Sequence, residues 1–222
     1  MKGFKWLFFD LFDTVIFVDE EIYYEGKREA ADIVGIDHDL FLSAWKDTSD
    51  DAIVGRLRDP FQRATAALKA IGIDDRAIWA KIAMSDVETL QKCVSFYDGA
   101  PEALPILHER FPLYIVSATP QDELIRIVSA RGLSHWFRGI LGSPQQKSEH
   151  IHEIIRTTGT SRENIIFVGD AINDWKAATS CGVRFVARIK PGEPDAFSGC
   201  PHIEHRVADM QELREYLDGI PC

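Results

Sequence analysis

Four short segments carry the side chains that could do chemistry. Phe8-Phe9-Asp10-Leu11-Phe12-Asp13-Thr14 runs from apolar residues straight into a carboxylate. Ile115-Val116-Ser117 ends an apolar run in a hydroxyl, and Lys147 follows the breaker Gly142-Ser143-Pro144. Ile165-Ile166-Phe167-Val168-Gly169-Asp170 ends a second apolar run in an acid, with Asp174 close behind it. An unpaired carboxylate at the end of a buried strand is costly, so Asp10 needs partners. A nucleophilic Asp, a hydroxyl, a lysine and two more acids are the parts required for metal-assisted transfer of a phosphoryl group.

The elements that must position these groups follow from periodicity. Trp6 to Phe9 is a continuous apolar run, as in a strand buried on both faces of a parallel sheet. From Glu20 to about Val94 the apolar spacing turns helical, as in Leu40, Phe41, Ala44 and Trp45, then Phe61, Ala64, Leu68 and Ile71. Gly35-Ile36-Asp37, Arg58-Asp59-Pro60 and Gly72-Ile73-Asp74 punctuate it as stops and caps, which predicts four or so helices and no strand. After Asp98-Gly99, predicted helices at 101–111, 121–131, 148–158, 174–181 and 210–217 alternate with predicted strands at 113–117, 139–141, 165–168 and 184–187. That rhythm implies a parallel α/β sheet. Ligands of such a sheet bind beyond the carboxyl ends of its strands. Asp10, Ser117 and Asp170 each end one. Taken singly these are turn residues or caps; in this order and at one sheet edge they make a site. Asn173 reads as a cap for the following helix, Thr14 as turn chemistry or a cap, and Gly169 as a sharp turn or a place where a ligand approaches.

In this order the segments resemble the four motifs of the haloacid dehalogenase-like hydrolase superfamily. Asp10-Leu11-Phe12-Asp13-Thr14 is similar to the first, Ser117 and Lys147 to the second and third, and Gly169 to Asp174 to the fourth. The resemblance implies a Rossmann-like core at residues 1–18 and 96–222, with an all-helical cap inserted at 19–95. It implies that Asp10 is the nucleophile, forming an aspartyl-phosphate. Mg²⁺ would be held by Asp10, the Phe12 carbonyl and Asp170, with Asp174 beside them orienting Lys147 or a water. Ser117, Ala118 and Lys147 would bind the phosphoryl group. The chain departs from the pattern at Phe12, where family phosphatases usually carry a second Asp that handles the proton. Asp13 stands next to it, but adjacent residues of an extended segment point to opposite sides.

A Mg²⁺-dependent phosphohydrolase acting on a small phosphorylated metabolite is the main expectation. The alternatives are a 2-haloacid dehalogenase-like hydrolase, a phosphonate hydrolase using a cap lysine (Lys27, Lys46, Lys69, Lys81 or Lys92), or a catalytically weak phospho-ligand binder. Lysines on amphipathic helices are expected on solvated faces. Arg56, Arg58 and Arg63 read as surface arginines beside a turn, and Tyr23, Tyr24 and Trp45 as the cap's own core. Hinges are expected near 17–19 and 97–99.

Composition narrows the partners. The 222 residues are 45% hydrophobic and 27% charged with a net charge of −10. That balance disfavours nucleic acid and anionic membranes. The start, Met1 to Trp6, lacks a small-residue cleavage site and is not read as a signal peptide. A cytoplasmic monomer or homodimer is expected. The four cysteines (Cys93, Cys181, Cys200 and Cys222) show no metal spacing and are read as reduced thiols. Cys200-Pro201-His202-Ile203-Glu204-His205 is read as a loop rather than a metal cluster, and 191–201 as a surface loop.

Overall fold

The computed structural model describes residues 6–53, 56–57 and 59–220. Arg58 therefore lies outside the described residues. In chain order the elements are β1 (Trp6–Phe9), β2 (Ile16–Val18), α1 (Glu20–Val34), α2 (His38–Asp47), α3 (Ser49–Ile53), α4 (Pro60–Ala70), α5 (Arg76–Cys93) and β3 (Val94–Phe96). There follow α6 (Ala100–Arg110), β4 (Leu113–Pro120), α7 (Gln121–Ala130), β5 (Phe137–Ser143), α8 (Lys147–Thr158) and β6 (Ile165–Gly169). The chain closes with α9 (Ile172–Cys181), β7 (Arg184–Arg188), β8 (Ile203–Val207) and α10 (Met210–Asp218). No described helix is long and apolar enough to cross a membrane.

Six strands form one sheet in the order β5-β4-β1-β6-β7-β8. The β1–β4, β1–β6, β6–β7 and β7–β8 pairs run parallel. This is the expected α/β, Rossmann-like architecture. The chain moves from β1 outward to β4 and β5, then returns to lay β6 on the other side of β1. The carboxyl ends of β1 and β6 therefore flank the crevice where strand order reverses, the usual ligand position in such sheets. Leu7, Phe8 and Phe9 are fully buried, as a strand covered on both faces requires. On one face Phe8, Val116, Phe167 and Phe185 pack with Ile151 and Ile154 of α8 and Ala177 and Ala178 of α9.

The chain divides into two compact units: Met1–Phe17 with Phe96–Ser117 and Gly132–Cys222, and Val18–Ser95 with Ala118–Arg131. The divisions at 17/18 and 95/96 fall inside β2 and β3, which pair as a separate two-stranded sheet. In the helical unit Phe41, Trp45, Leu68 and Ile82 centre the core. Trp45 donates its ring N–H to the Tyr23 hydroxyl at 2.8 Å, so these two aromatics pack within the unit as expected. Asp19, Asp37, Asp59 and Asp75 each accept a backbone N–H at a helix start, a cap arrangement worth about 1 kcal/mol apiece.

Several expectations need correction. Among the described residues five helices lie between 19 and 95, in line with the four or so expected, but the third stop is capped by Asp75 rather than Asp74. The strand ending at Ser117 continues to Pro120, and the one expected at 139–141 spans Phe137–Ser143. Residues 203–205 belong to β8, not to a loop. Its Glu204, His205 and Arg206 are exposed, so the strand is held by pairing with β7 rather than by an apolar run. Arg63 is half-buried rather than free on the surface: it donates to the Thr48 and Ser49 hydroxyls and lies over the Trp45 ring. Arg56 is exposed and pairs with Asp51 at 2.7 Å.

Lys27 contradicts the solvated-face expectation most directly. It is 1% exposed, ion-paired with Asp86 of α5, and lies over the rings of Tyr23 and Trp45. Burial lowers its pKa, while Asp86 pulls the other way. An amine held like this is not free to meet a substrate carbonyl. Removing one member of a buried ion pair leaves a bare charge, whereas removing both need not destabilise. Asp86→Ala should cost about 3–5 kcal/mol in urea unfolding, while Lys27→Met combined with Asp86→Leu should stay within about 2 kcal/mol of wild type. A double variant as unstable as the single one would contradict this account of the helical core.

Candidate active site

Asp10 follows β1 directly. Its backbone N–H extends the ladder to the Val168 carbonyl at 2.9 Å. One carboxylate oxygen accepts the Leu11 N–H at 2.8 Å, and the other lies 3.0 Å from Lys147 Nζ. Lys147 is the first residue of α8, and the same ammonium lies 2.5 Å from Asp174 Oδ1. Asp174, in the first turn of α9, is fully buried, and its second oxygen accepts the Ala171 N–H at 3.1 Å. Asp170, one residue beyond β6, completes the group. Ligand oxygens of Asp10, Asp170 and Asp174 all lie within 4.8 Å of one another. Among the described residues no other set of three or more His, Cys, Asp or Glu side chains converges this way.

Three residues around this cluster act differently from their sequence readings. Thr14 is 1% exposed and donates its hydroxyl to Asp170 Oδ1 at 3.0 Å, so it ties the first segment to the fourth instead of finishing a turn. A Cβ on Gly169 would lie 2.6 Å from the Asp174 side chain. The glycine is therefore needed for the close approach of Asp174. Asn173 is exposed in the first turn of α9, whose N-cap is Ala171, so it is not the cap.

Asp13 is also re-aimed. Its φ of 53° is left-handed rather than extended, so the alternation argument does not apply to it. Its carboxylate accepts the Tyr97 hydroxyl at 2.8 Å. Burial, and then the Asp13 charge, push the Tyr97 hydroxyl up to about 12. Ser117 is buried on β4 two residues past Ile115, the partner of Phe9 in the β1–β4 register. That places it at the same sheet edge as Asp10. Ala118, the next residue, is exposed and belongs to the other unit.

Electrostatics in this cluster are unbalanced. Burial, then the charges of Asp10 and Asp13, raise the Asp170 carboxyl to about 6. Burial and Asp10 also hold Asp174 above the ordinary carboxylate range, against the pull of Lys147. Burial disfavours the Lys147 ammonium, but Asp10 and Asp174 together outweigh it and its pKa is raised. One ammonium, paired with Asp10 and Asp174, thus stands among three carboxylates. The remaining donors are all oxygen, which suits a hard divalent cation rather than one that prefers sulfur or nitrogen.

Comparison with known proteins identifies the family and the fold. Residues 38–188 match the family model of haloacid dehalogenase-like hydrolases. No curated protein matches the chain in sequence. Among solved structures, a provisionally assigned HAD-hydrolase of Bacillus subtilis, YfnB, is described as bound to magnesium. It superposes with a TM-score of 0.71 at 18% identity, over 98% of this chain and 100% of that one. A predicted phosphoglycolate phosphatase from Haemophilus somnus superposes at 0.66 and 19% identity, over 97% and 99%. A defluorinating L-2-haloacid dehalogenase superposes at 0.73 and 14% identity, over 98% and 96%. At these identities the likeness is one of fold.

The raised Asp170 pKa sets the sign of a pH effect. The folded chain binds this proton more tightly than the unfolded chain. The stability it contributes is therefore present below the ordinary value of 3.8 and lost as pH rises through about 6. With a chelator present, wild type should lose up to about 3 kcal/mol relative to Asp170→Asn between about pH 4 and about pH 7. Chemical unfolding curves for the two proteins across that range measure it; a stability difference that does not change with pH would contradict the crowding of carboxylates.

Proposed function

Because the chain belongs to the haloacid dehalogenase-like hydrolases, we propose that it is a Mg²⁺-dependent phosphohydrolase acting on a small phosphorylated metabolite through Asp10. The observation that carries this reading is Lys147 bridging Asp10 and Asp174 while Asp170 closes on the same point. Displacement of halide from carbon needs no cation and would leave the crowded acids without a purpose. Transfer of an anionic group needs both a cation and a tethering amine.

Asp10, the Phe12 carbonyl and Asp170 would hold the metal, with Asp174 beside them. Bound Mg²⁺ would offset the repulsion between these carboxylates and an anionic phosphoryl group. Asp10 attacks phosphorus; the new Asp–O–P bond forms as the bond to the leaving oxygen breaks, and that oxygen takes a proton from solvent water. Water then attacks phosphorus, the Asp–O–P bond breaks, phosphate leaves and the water's proton is released. Lys147 keeps one Asp10 oxygen oriented and neutralises the phosphorylated state. Ser117, with Ala118, binds phosphoryl oxygens. Asp174 fixes the Lys147 ammonium. Phe12 cannot move a proton, so substrates with good leaving groups suffer least from the substitution. The protein acts as a monomer or homodimer in the cytoplasm.

A second reading, a 2-haloacid dehalogenase-like hydrolase, is favoured by one observation, the aromatic Phe12 where a proton donor would otherwise stand. The two readings separate in a simple assay. Phosphate should be released from p-nitrophenyl phosphate with Mg²⁺ and not with chelator. Asp10→Asn should lower that rate at least about 10³-fold with an unchanged circular dichroism spectrum. Phe12→Asp should raise turnover of an alkyl phosphate by about 10²-fold. Metal-independent halide release from a 2-haloacid, or a fully active Asp10→Asn protein, would overturn the proposal.

A further inference from the structure

Arg188 ends β7 in the position where Asp170 follows β6. Gly169 pairs with Ala187, so the next residues of the two strands stand side by side at the carboxyl edge. Arg188 is 4% exposed, and among the described residues its Nε and Nη1 are buried without a hydrogen-bond partner. Its guanidinium carbon lies 3.8 Å from the centroid of the Tyr97 ring. The Tyr97 side chain also hydrogen-bonds the guanidinium, which leaves Nε and Nη1 to find partners elsewhere. The side chain lines a cavity of about 130 Å³ together with Asp13, Asp170, Lys190, Glu193 and Phe197. A buried guanidinium with unpaired N–H groups is costly to the free protein, and a cavity at its side gives those groups somewhere to point.

The neighbouring charges decide what the cavity takes. Lys190 is paired with Glu193 at 2.8 Å, and Asp13 accepts the Tyr97 hydroxyl. Three carboxylates on the wall disfavour a dianion, whereas a monoanionic carboxylate meets less repulsion and can accept from Nε or Nη1. The cavity has ample room for a carboxylate and the carbons next to it. The length follows from the sheet: β1 and β7 flank β6, and two strand spacings come to about 10 Å between the Asp10 and Arg188 positions.

We infer that Arg188 and the cavity it lines bind a carboxylate of the substrate, so that the metabolites hydrolysed are short phosphorylated carboxylic acids. This rests on the phosphohydrolase reading and deepens it. Glu193 and Asp13 then act as walls that reject a second phosphate, and Lys190 is held off the ligand by Glu193.

The test compares phosphoglycolic, 3-phosphooxypropionic and 4-phosphooxybutyric acids, each beside its carboxamide, in Mg²⁺ with wild type, Arg188→Lys and Arg188→Met. For at least one chain length the acid should exceed its amide by about 10–100-fold in kcat/KM, carried by KM. Arg188→Met should bring that ratio to near one, and Arg188→Lys should restore part of it. The wild-type ratio decides the matter even if a variant fails to fold: amides as good as acids at all three lengths would overturn the inference. If p-nitrophenyl phosphate is not turned over at all, the phosphohydrolase reading falls by itself. The carboxylate site is then judged by melting curves with glycolate and 3-hydroxypropionate. Stabilisation of wild type but not of Arg188→Met would support it, and no stabilisation of wild type would end it.

Discussion

Three carboxylates and one ammonium packed at the carboxyl edge of a parallel sheet form the constraint on which the rest of the molecule turns. Asp10, Asp170 and Asp174 come within 4.8 Å of one another, and only Lys147 among them carries a positive charge. Such crowding opposes folding unless something compensates it, and burial makes it worse. Asp170 and Asp174 both respond by holding their protons more tightly. A fold that keeps this arrangement keeps a place for a cation and for an anionic reacting group together, which is why the cluster bears on function more than on stability.

The sheet imposes this proximity. Because β6 returns to the side of β1 away from β4, the residues just beyond β1 and β6 open onto the same crevice. Asp10 N–H bonding to Val168 locks the two strand ends in register, and Thr14 ties the turn after β1 to Asp170. Gly169 makes room for the Asp174 side chain, and the starts of α8 and α9 bring Lys147 and Asp174 together. Arg188 extends the same edge by one strand, with a charge of the opposite sign.

Residues that announce themselves by local pattern could be read from the sequence. β1 and β6 are unbroken apolar runs that stop at an acid, and both lie where the pattern places them. Lys147, Asp10 and Asp174 could be singled out by type and order, and the distances now bring them together. What escaped depended on partners far away in the chain. Thr14 looks like turn chemistry until Asp170 is folded against it, and Lys27 looks solvated until Asp86 arrives from α5. β8 escaped because an edge strand with Glu204, His205 and Arg206 exposed has no apolar signature. Arg188 carried a usable signal: a charged residue directly after the apolar run of β7, by the same logic that picked out Asp10 and Asp170.

The central claim is that Asp10 itself takes the phosphoryl group. Turnover of p-nitrophenyl phosphate with Mg²⁺, quenched in acid at early times and followed by peptide mapping in a mass spectrometer, tests it most directly. The account predicts a phosphoryl increment on the peptide containing Asp10 that is absent when chelator replaces Mg²⁺. A product burst with that peptide unmodified, or with the increment on another residue, would contradict it.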